Sequence, residues 1–226
     1  MTSFNLRRCA AAIGVLLAVA LAGNARASIT TMHTGYSTAG PQASSADYRS
    51  AVEAALATPM EGYGSAHLPR FEDVSNHAIF GSGNSVAYHF TVDFDVTAAT
   101  AGQWDFRAGV DFGWGGTMLL DDTELAFNPD DQWWAGSWSQ GVLSGGLTLA
   151  EGRHTLHLYG LEPCCDGYFT TQFSINNGNY TTFADNDGLL PAVPEPANVA
   201  MLAAGAGVLC MYGRRRRGRQ HHRQQS

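Results

Sequence analysis

The chain contains no lysine, so all 13 of its basic side chains are arginines. Nine of them sit at the ends: Arg7, Arg8 and Arg26 at one, and Arg214 to Arg217, Arg219 and Arg223 at the other. Only Arg49, Arg70, Arg107 and Arg153 remain between. All 20 acidic residues fall from Asp47 to Glu195, so four positive charges face 20 negative ones. That stretch carries −16, against −7 for the whole chain. Such a surface repels phosphates, which excludes nucleic acid and anionic lipid as partners. It attracts divalent cations, and solubility outside the cell accounts for it equally well. Cysteine is also scarce, with Cys9, Cys164, Cys165 and Cys210 only. One adjacent pair between the ends is too few for a zinc site. No nucleophile elbow, phosphate loop or zinc spacing occurs. Carboxylates are plentiful, but a glycosidase pair is defined by separation in space and not by sequence. The expectation is a non-enzymatic protein.

What is present begins with the two ends. Arg7 and Arg8 form a positive n-region, Ala10 to Gly23 is apolar, and Ala25-Arg26-Ala27 is an A-x-A cleavage site. Residues 1–27 therefore read as a signal peptide, with a signal helix, and the mature chain starts at Ser28. At the other end, Pro194-Glu195-Pro196 precedes an apolar run from Ala197 to Tyr212. Arg214, Arg215, Arg216 and Arg217 follow it. As a helix the run spans roughly 24 Å at ~1.5 Å per residue. A bilayer core is ~30 Å, so the run suits a temporary transmembrane helix. The arginines belong on the cytoplasmic side, which places the preceding domain outside the inner membrane. A plain single-pass tail anchor is the other reading.

The order Pro-Glu-Pro, apolar helix, arginine cluster resembles the PEP-CTERM sorting signal of Gram-negative bacteria. The resemblance implies an exosortase partner that recognises and cleaves the tail, and an association with exopolysaccharide. The chain then divides into residues 1–27 (signal), 28–184 (exported β domain), 185–193 (linker), 194–217 (sorting signal) and 218–226 (cytoplasmic polar tail). It is expected to be anchored transiently in the inner membrane, then to reside in the envelope or extracellular matrix.

Processing also bears on the cysteines. Cys9 leaves with the signal peptide and Cys210 lies in the apolar run. Cys164 and Cys165 are left to each other in an oxidising compartment. Adjacent α-carbons are ~3.8 Å apart across a trans peptide, whereas ordinary disulfides want about 4.4 to 6.8 Å. A strained vicinal disulfide is expected, with free thiols or links between chains as alternatives.

The exported part reads as β structure. Ile29 to Tyr36 suits a strand. Ser45 can cap one short N-terminal helix whose Tyr48, Val52, Ala55 and Leu56 share a face. From Val86 the period becomes two: Val86, Tyr88, Phe90, Val92, Phe94 and Val96 alternate with polar residues, and Trp104 to Phe112 repeats the pattern. The short join predicts a hairpin between these two strands. Asp121-Asp122-Thr123 predicts a tight turn between Thr117–Leu120 and Glu124–Phe127. Leu147–Leu149 and His154–Leu161 suggest another hairpin, and Phe169 to Ile175 a further strand. The whole argues an all-β fold, an antiparallel β-sandwich or jelly roll.

Within it, Tyr159-Gly160-Leu161-Glu162 leads into Cys164-Cys165-Asp166-Gly167. This quartet in its β context resembles the CCXG family of PEP-CTERM proteins, over about residues 86 to 188. More loosely, "GTMLLDDTELAF" and the following "GRHTLHLY" are similar to the glycan-binding jelly roll named after anthrax protective antigen. That resemblance implies a calcium ion held by paired aspartates beside a sugar, for which Asp111, Asp121 and Asp122 are the candidates; Asp121-Asp122 also suits simple turn chemistry. Trp133, Trp134 and Trp138 lie near Asp130 and Asp131. Exposed tryptophans stack on sugars and buried ones close a sandwich end, and adjacent strand residues point opposite ways. Trp133, Trp134 and Asp166 are the candidate ligand-binding residues. His154 and His157, three apart on a strand, face opposite sides and make no metal site.

The expected role is structural or adhesive at a polysaccharide-rich surface. A calcium-assisted carbohydrate-binding module is the alternative, and a polysaccharide-acting enzyme the least supported one. The exported protein is expected to begin at Ser28 and to lose its tail near Pro194 to Pro196. Its intact mass checks this: deletion of the exosortase should restore the mass of the tail, and an unchanged mass would contradict it.

Overall fold

A computed structural model describes residues 28–189. The expected signal helix, the transmembrane helix and the sorting residues lie outside the described residues. Among those described, no helix is long and apolar enough to cross a membrane.

The chain runs β1 (Ile29–Tyr36), α1 (Ser45–Leu56), β2 (Ser65–Leu68), α2 (Asn76–Phe80), β3 (Val86–Val96), β4 (Gly102–Gly109) and β5 (Gly116–Leu120). It continues through β6 (Thr123–Asn128), β7 (Val142–Leu149), β8 (Gly152–Glu162), β9 (Thr170–Ile175) and β10 (Thr181–Thr182). A six-stranded sheet has the order β2-β1-β3-β8-β5-β6 and a four-stranded sheet the order β10-β9-β4-β7. Every named pairing is antiparallel. The expected all-β architecture is therefore present, with two helices where one was expected. The second, α2, is only five residues long and is capped by Ser75, whose side chain accepts from Ala78 N.

The period-two residues face inward as read. Tyr88, Phe90, Val92, Phe94 and Val96 of β3 share one buried core with Trp104, Phe106 and Ala108 of β4. The two expected hairpins do not form. β3 pairs with β1 and β8, while β4 pairs with β7 and β9 in the other sheet. Likewise β7 and β8 belong to different sheets. Alternation says which face is buried and nothing about the lateral partner. Here the join at Thr97–Ala101 folds over the end of the sandwich: Ala101 N donates to Thr97 O at 2.8 Å, and Trp104 Nε1 donates to Thr100 O at 2.8 Å. Phe94 and Trp104 then meet across the interlayer, ring to ring at 5.0 Å, instead of side by side. The β5–β6 hairpin does form, with Asp121 at φ 53 in its turn.

A second cluster packs α1 on the outer face of the larger sheet, with Tyr48 and Val52 against Ala87, Leu119, Tyr159 and Leu161. The cap is Ser44 and not Ser45: Ser44 Oγ accepts from Asp47 N at 3.2 Å. Ser45, inside the first turn, pairs with Thr117 Oγ1 at 2.7 Å and ties the helix to the sheet. Asp185 to Leu189, expected to be linker, belong to the domain. Leu189 is in the core, and Asp187 accepts from Ser28 Oγ at 2.6 Å and from Ala184 N.

Phe112 fills the space left by two glycines. A Cβ at Gly160 would lie 2.4 Å from its ring, and one at Gly116 2.5 Å from it. Gly160→Ala is expected to lower the unfolding free energy by about 1–3 kcal/mol through overpacking. Urea denaturation reads this directly, and a wild-type midpoint would contradict it.

Candidate functional site

Strand polarity sorts the loops onto two ends. Gly109 of β4 lies opposite Val142 and Thr170, and Val86 of β3 lies opposite both Tyr36 and Glu162. One rim therefore gathers the segment 81–85, the segment 110–115, the loop 129–141 and the turn 163–169. The Asp121-Asp122 turn lies at the opposite end, where Leu120 pairs with Leu156. β5 separates it from Gly116 by roughly 17 Å at ~3.3 Å per residue.

Phe112 joins the tryptophan loop to the rest of the rim. Its N donates to Gln132 O at 2.8 Å, and Gln132 N donates back at 3.1 Å. Trp133 follows and is 63% exposed, while Trp134 is 8% exposed. The expected opposite orientation of these neighbours is what the structure shows. Trp134 lies over Gly109, where a Cβ would be 2.3 Å from its ring.

The cysteine turn is built by carboxylates. Glu162 accepts from Gly113 N at 2.5 Å and from Cys164 N at 2.9 Å. Asp111 accepts from Gly167 N at 2.6 Å. Asp166 accepts from His77 N at 2.6 Å and from the Tyr88 hydroxyl, and its own N–H reaches Gly83 O. Burial pushes Glu162 up to about 7, with two amide donors opposing and Asp111 and Asp166 adding. Burial likewise raises Asp111 to about 6, against its Gly167 bond. Asp166 is raised by burial and held down by Tyr88 and His77.

Cys164 and Cys165 are exposed and unbonded, where a bridge between them was expected. Their peptide is trans, Cys165 sits at φ 71, and Cys164 N–H is tied to Glu162. The Cys165 thiol comes first among the causes that raise Cys164 to about 11. An open groove beside this turn is lined by His77, Phe80, Gly81, Gly83, Cys165 and Asp166.

The three candidate metal residues are not brought together. Asp121 accepts from Thr155 N at 2.9 Å and meets His154, which is turn chemistry, and Asp122 pairs with Arg49. Asp111 belongs to the other rim. Glu162 and Asp166, beside it, have both carboxylate oxygens engaged by protein donors. No peptide among the described residues is cis, and no group of three His, Cys, Asp or Glu among them is placed to hold a metal ion. These residues do not fit the calcium cage that the resemblance implies. His154 and His157 do face opposite sides. His157 meets His89 of the neighbouring strand, 3.0 Å between ring nitrogens, beside Tyr159. That cross-strand pair had no sequence signal, because its members are 68 residues apart.

Trp114 (40% exposed), Trp133 and Tyr168 (56%) are exposed on three separate segments of this rim. Of these, sequence reasoning singled out only Trp133. Tyr168 adjoins the recognised quartet, which was its one available clue.

Asp111 and Glu162 hold protons in the folded domain that an unfolded chain releases near pH ~4. Between there and their folded values of about 6 and about 7, the folded state binds more protons, so its stability falls as pH rises. The melting temperature is expected to drop from about pH 4.5 to about pH 7.5, and Asp111→Asn to flatten the acidic part of that slope. A melting temperature that climbs across this window would contradict the assignment.

No protein-family profile and no curated protein matches the chain. Among solved structures, it is similar to a PA14 sugar-binding domain from an RTX adhesin, at 12% identity and TM-score 0.47, covering 70% of this chain and 96% of that one. It is similar to the PA14 domain of the MpAFP antifreeze protein, at 12% identity and TM-score 0.46, over 71% and 88%. A third is the subtype-switched epithelial adhesin 9 A domain from Candida glabrata in complex with β-lactose, at 10% identity and TM-score 0.41, over 76% and 92%. No residue of the rim is assigned by these likenesses.

Proposed function

We propose that this chain is an exported, non-catalytic carbohydrate-binding domain with a structural or adhesive role in a polysaccharide-rich envelope or matrix. The observation that carries the reading is the rim. Trp114, Trp133 and Tyr168 stand exposed there; buried carboxylates hold the segments of Trp114 and Tyr168, and the Phe112–Gln132 backbone pair holds that of Trp133. Large apolar rings cost solvation when left in water, and a cluster of them on one rim marks a contact surface. An aromatic face presents an apolar plane with polar groups at its edge, which suits the apolar face of a pyranose ringed by hydroxyls. Backbone ties at Gly113, Cys164 and Gly167 fix the loops before ligand arrives, which limits the entropy lost on binding.

The ends support the cellular part. A signal peptide delivers the domain, the tail holds it at the inner membrane, and an exosortase cleaves near Pro194 to Pro196. The exopolysaccharide is then both neighbour and ligand. A calcium-assisted version draws no support from this geometry, because Asp111 and the Asp121-Asp122 turn lie at opposite ends.

Binding to oligosaccharides from the producing cell's own exopolysaccharide tests the reading. Trp133→Ala is expected to weaken it by about tenfold, the scale of one lost stacking contact, at unchanged melting temperature. Trp134→Ala should instead destabilise the fold by about 3–5 kcal/mol, as a buried aromatic truncation. Binding should survive a chelator. Wild-type affinity in Trp133→Ala, or no glycan bound by either protein, would sink the proposal.

A further inference from the structure

One cation of the domain, Arg107, is set among rings instead of carboxylates. Arg49 pairs with Glu53 and Asp122, and Arg70 with Glu72. Arg107 is paired with no carboxylate among the described residues. Its Nε and Nη2 both donate to Gln172 Oε1, at 3.0 and 2.6 Å. Its guanidinium carbon lies 3.9 Å from the Trp138 ring centre and 3.8 Å from that of Tyr180. Rings therefore cover both faces of the cation and leave only its edge open. Nη1 on that edge has no acceptor among the described residues.

This cluster stands on the outer face of the four-stranded sheet, where Arg107 is in register with Ser144 and Gln172. It is continuous with the rim. Trp138 comes from the same loop as Trp133 and packs on Trp134, with ring centres 5.5 Å apart. Arg107 precedes Gly109 by two residues, which is about 7 Å along a strand.

We propose that Arg107, Gln172 and Tyr180 form a second saccharide subsite, which takes a carboxylate-bearing sugar, a uronate, on the free edge of the guanidinium. This rests on the carbohydrate-binding reading of the rim. A guanidinium edge offers N–H donors in the plane that a carboxylate accepts best, and the bond is charge-assisted. The flanking rings hold that plane, so little side-chain freedom remains to be lost. Tyr180, 40% exposed, is the ring on which the sugar body can rest. Asp105 lies two residues away on the same strand, hydrogen-bonded by Gln103, and limits the site to one carboxylate. The acidic domain repels a dense polyanion at long range. The site therefore selects a neutral strand carrying occasional uronates.

Calorimetry on the full chain tests this with a trisaccharide bearing one glucuronate, and with its carboxyl-reduced counterpart. The wild type is expected to prefer the uronate by about tenfold, as for one charge-assisted contact. Arg107→Gln should erase the preference, read as the ratio of the two affinities within that variant. Should that variant melt early, Arg107→Lys reads the same point: it keeps the charge, loses the planar edge, and should lose most of the preference. No preference in the wild type, or a preference that survives Arg107→Gln, overturns the subsite. If Trp133→Ala leaves neutral binding intact while the uronate preference still depends on Arg107, the rim reading falls and the subsite stands.

Discussion

Phe112 is the contact on which the candidate site depends. Its ring occupies a hole left by Gly116 and Gly160 on neighbouring strands, and it packs against Phe169 at 5.1 Å. Once it is seated, its backbone pairs with Gln132 and sets the tryptophan loop. The residues on either side then meet the cysteine turn, Asp111 through Gly167 and Gly113 through Glu162. One buried ring thus locks three segments that are far apart in the chain. The close fit is also why neither glycine has room for a side chain.

The same rim accumulates carboxylates in a partly buried place. Their role there is structural: each accepts amide hydrogens that would otherwise end unsatisfied at the strand termini. Burial raises the pKa values of all three, and neighbouring carboxylates add to the rise at Asp111 and Glu162. That leaves its aromatics as the part with unfilled contact potential. Around the corner, on the smaller sheet, Arg107 supplies the opposite chemistry, a cation shielded on both faces by rings. The 129–141 loop serves both places, since it carries Trp133 on the rim, Trp134 beneath it and Trp138 against Arg107.

Alternation from Val86 to Val96 correctly marked the inward face, because side-chain period is a local property of an extended backbone. The short join misled about the partner of β3, since lateral pairing depends on where those five residues send the chain. Asp121-Asp122 was readable as a turn because turn chemistry acts within four residues. Trp133 and Trp134 were readable as an in–out pair, though which one was exposed depended on Gly109 lying beneath. The Cys164-Cys165 turn drew attention as a sequence oddity. Its actual organisation, with Glu162, Asp111 and Asp166 holding the backbone, had no signal in spacing.

By itself, the sequence determined the charge asymmetry, the all-β class and the buried face of each long strand. These follow from composition and short-range periodicity. Only the tertiary structure decided which strands share a sheet and which loops share a rim. It alone separated Asp111 from the Asp121-Asp122 turn, and it alone set Arg107 between Trp138 and Tyr180. Those outcomes rest on contacts between residues tens of positions apart, and no local pattern in a chain encodes the distance between its loops.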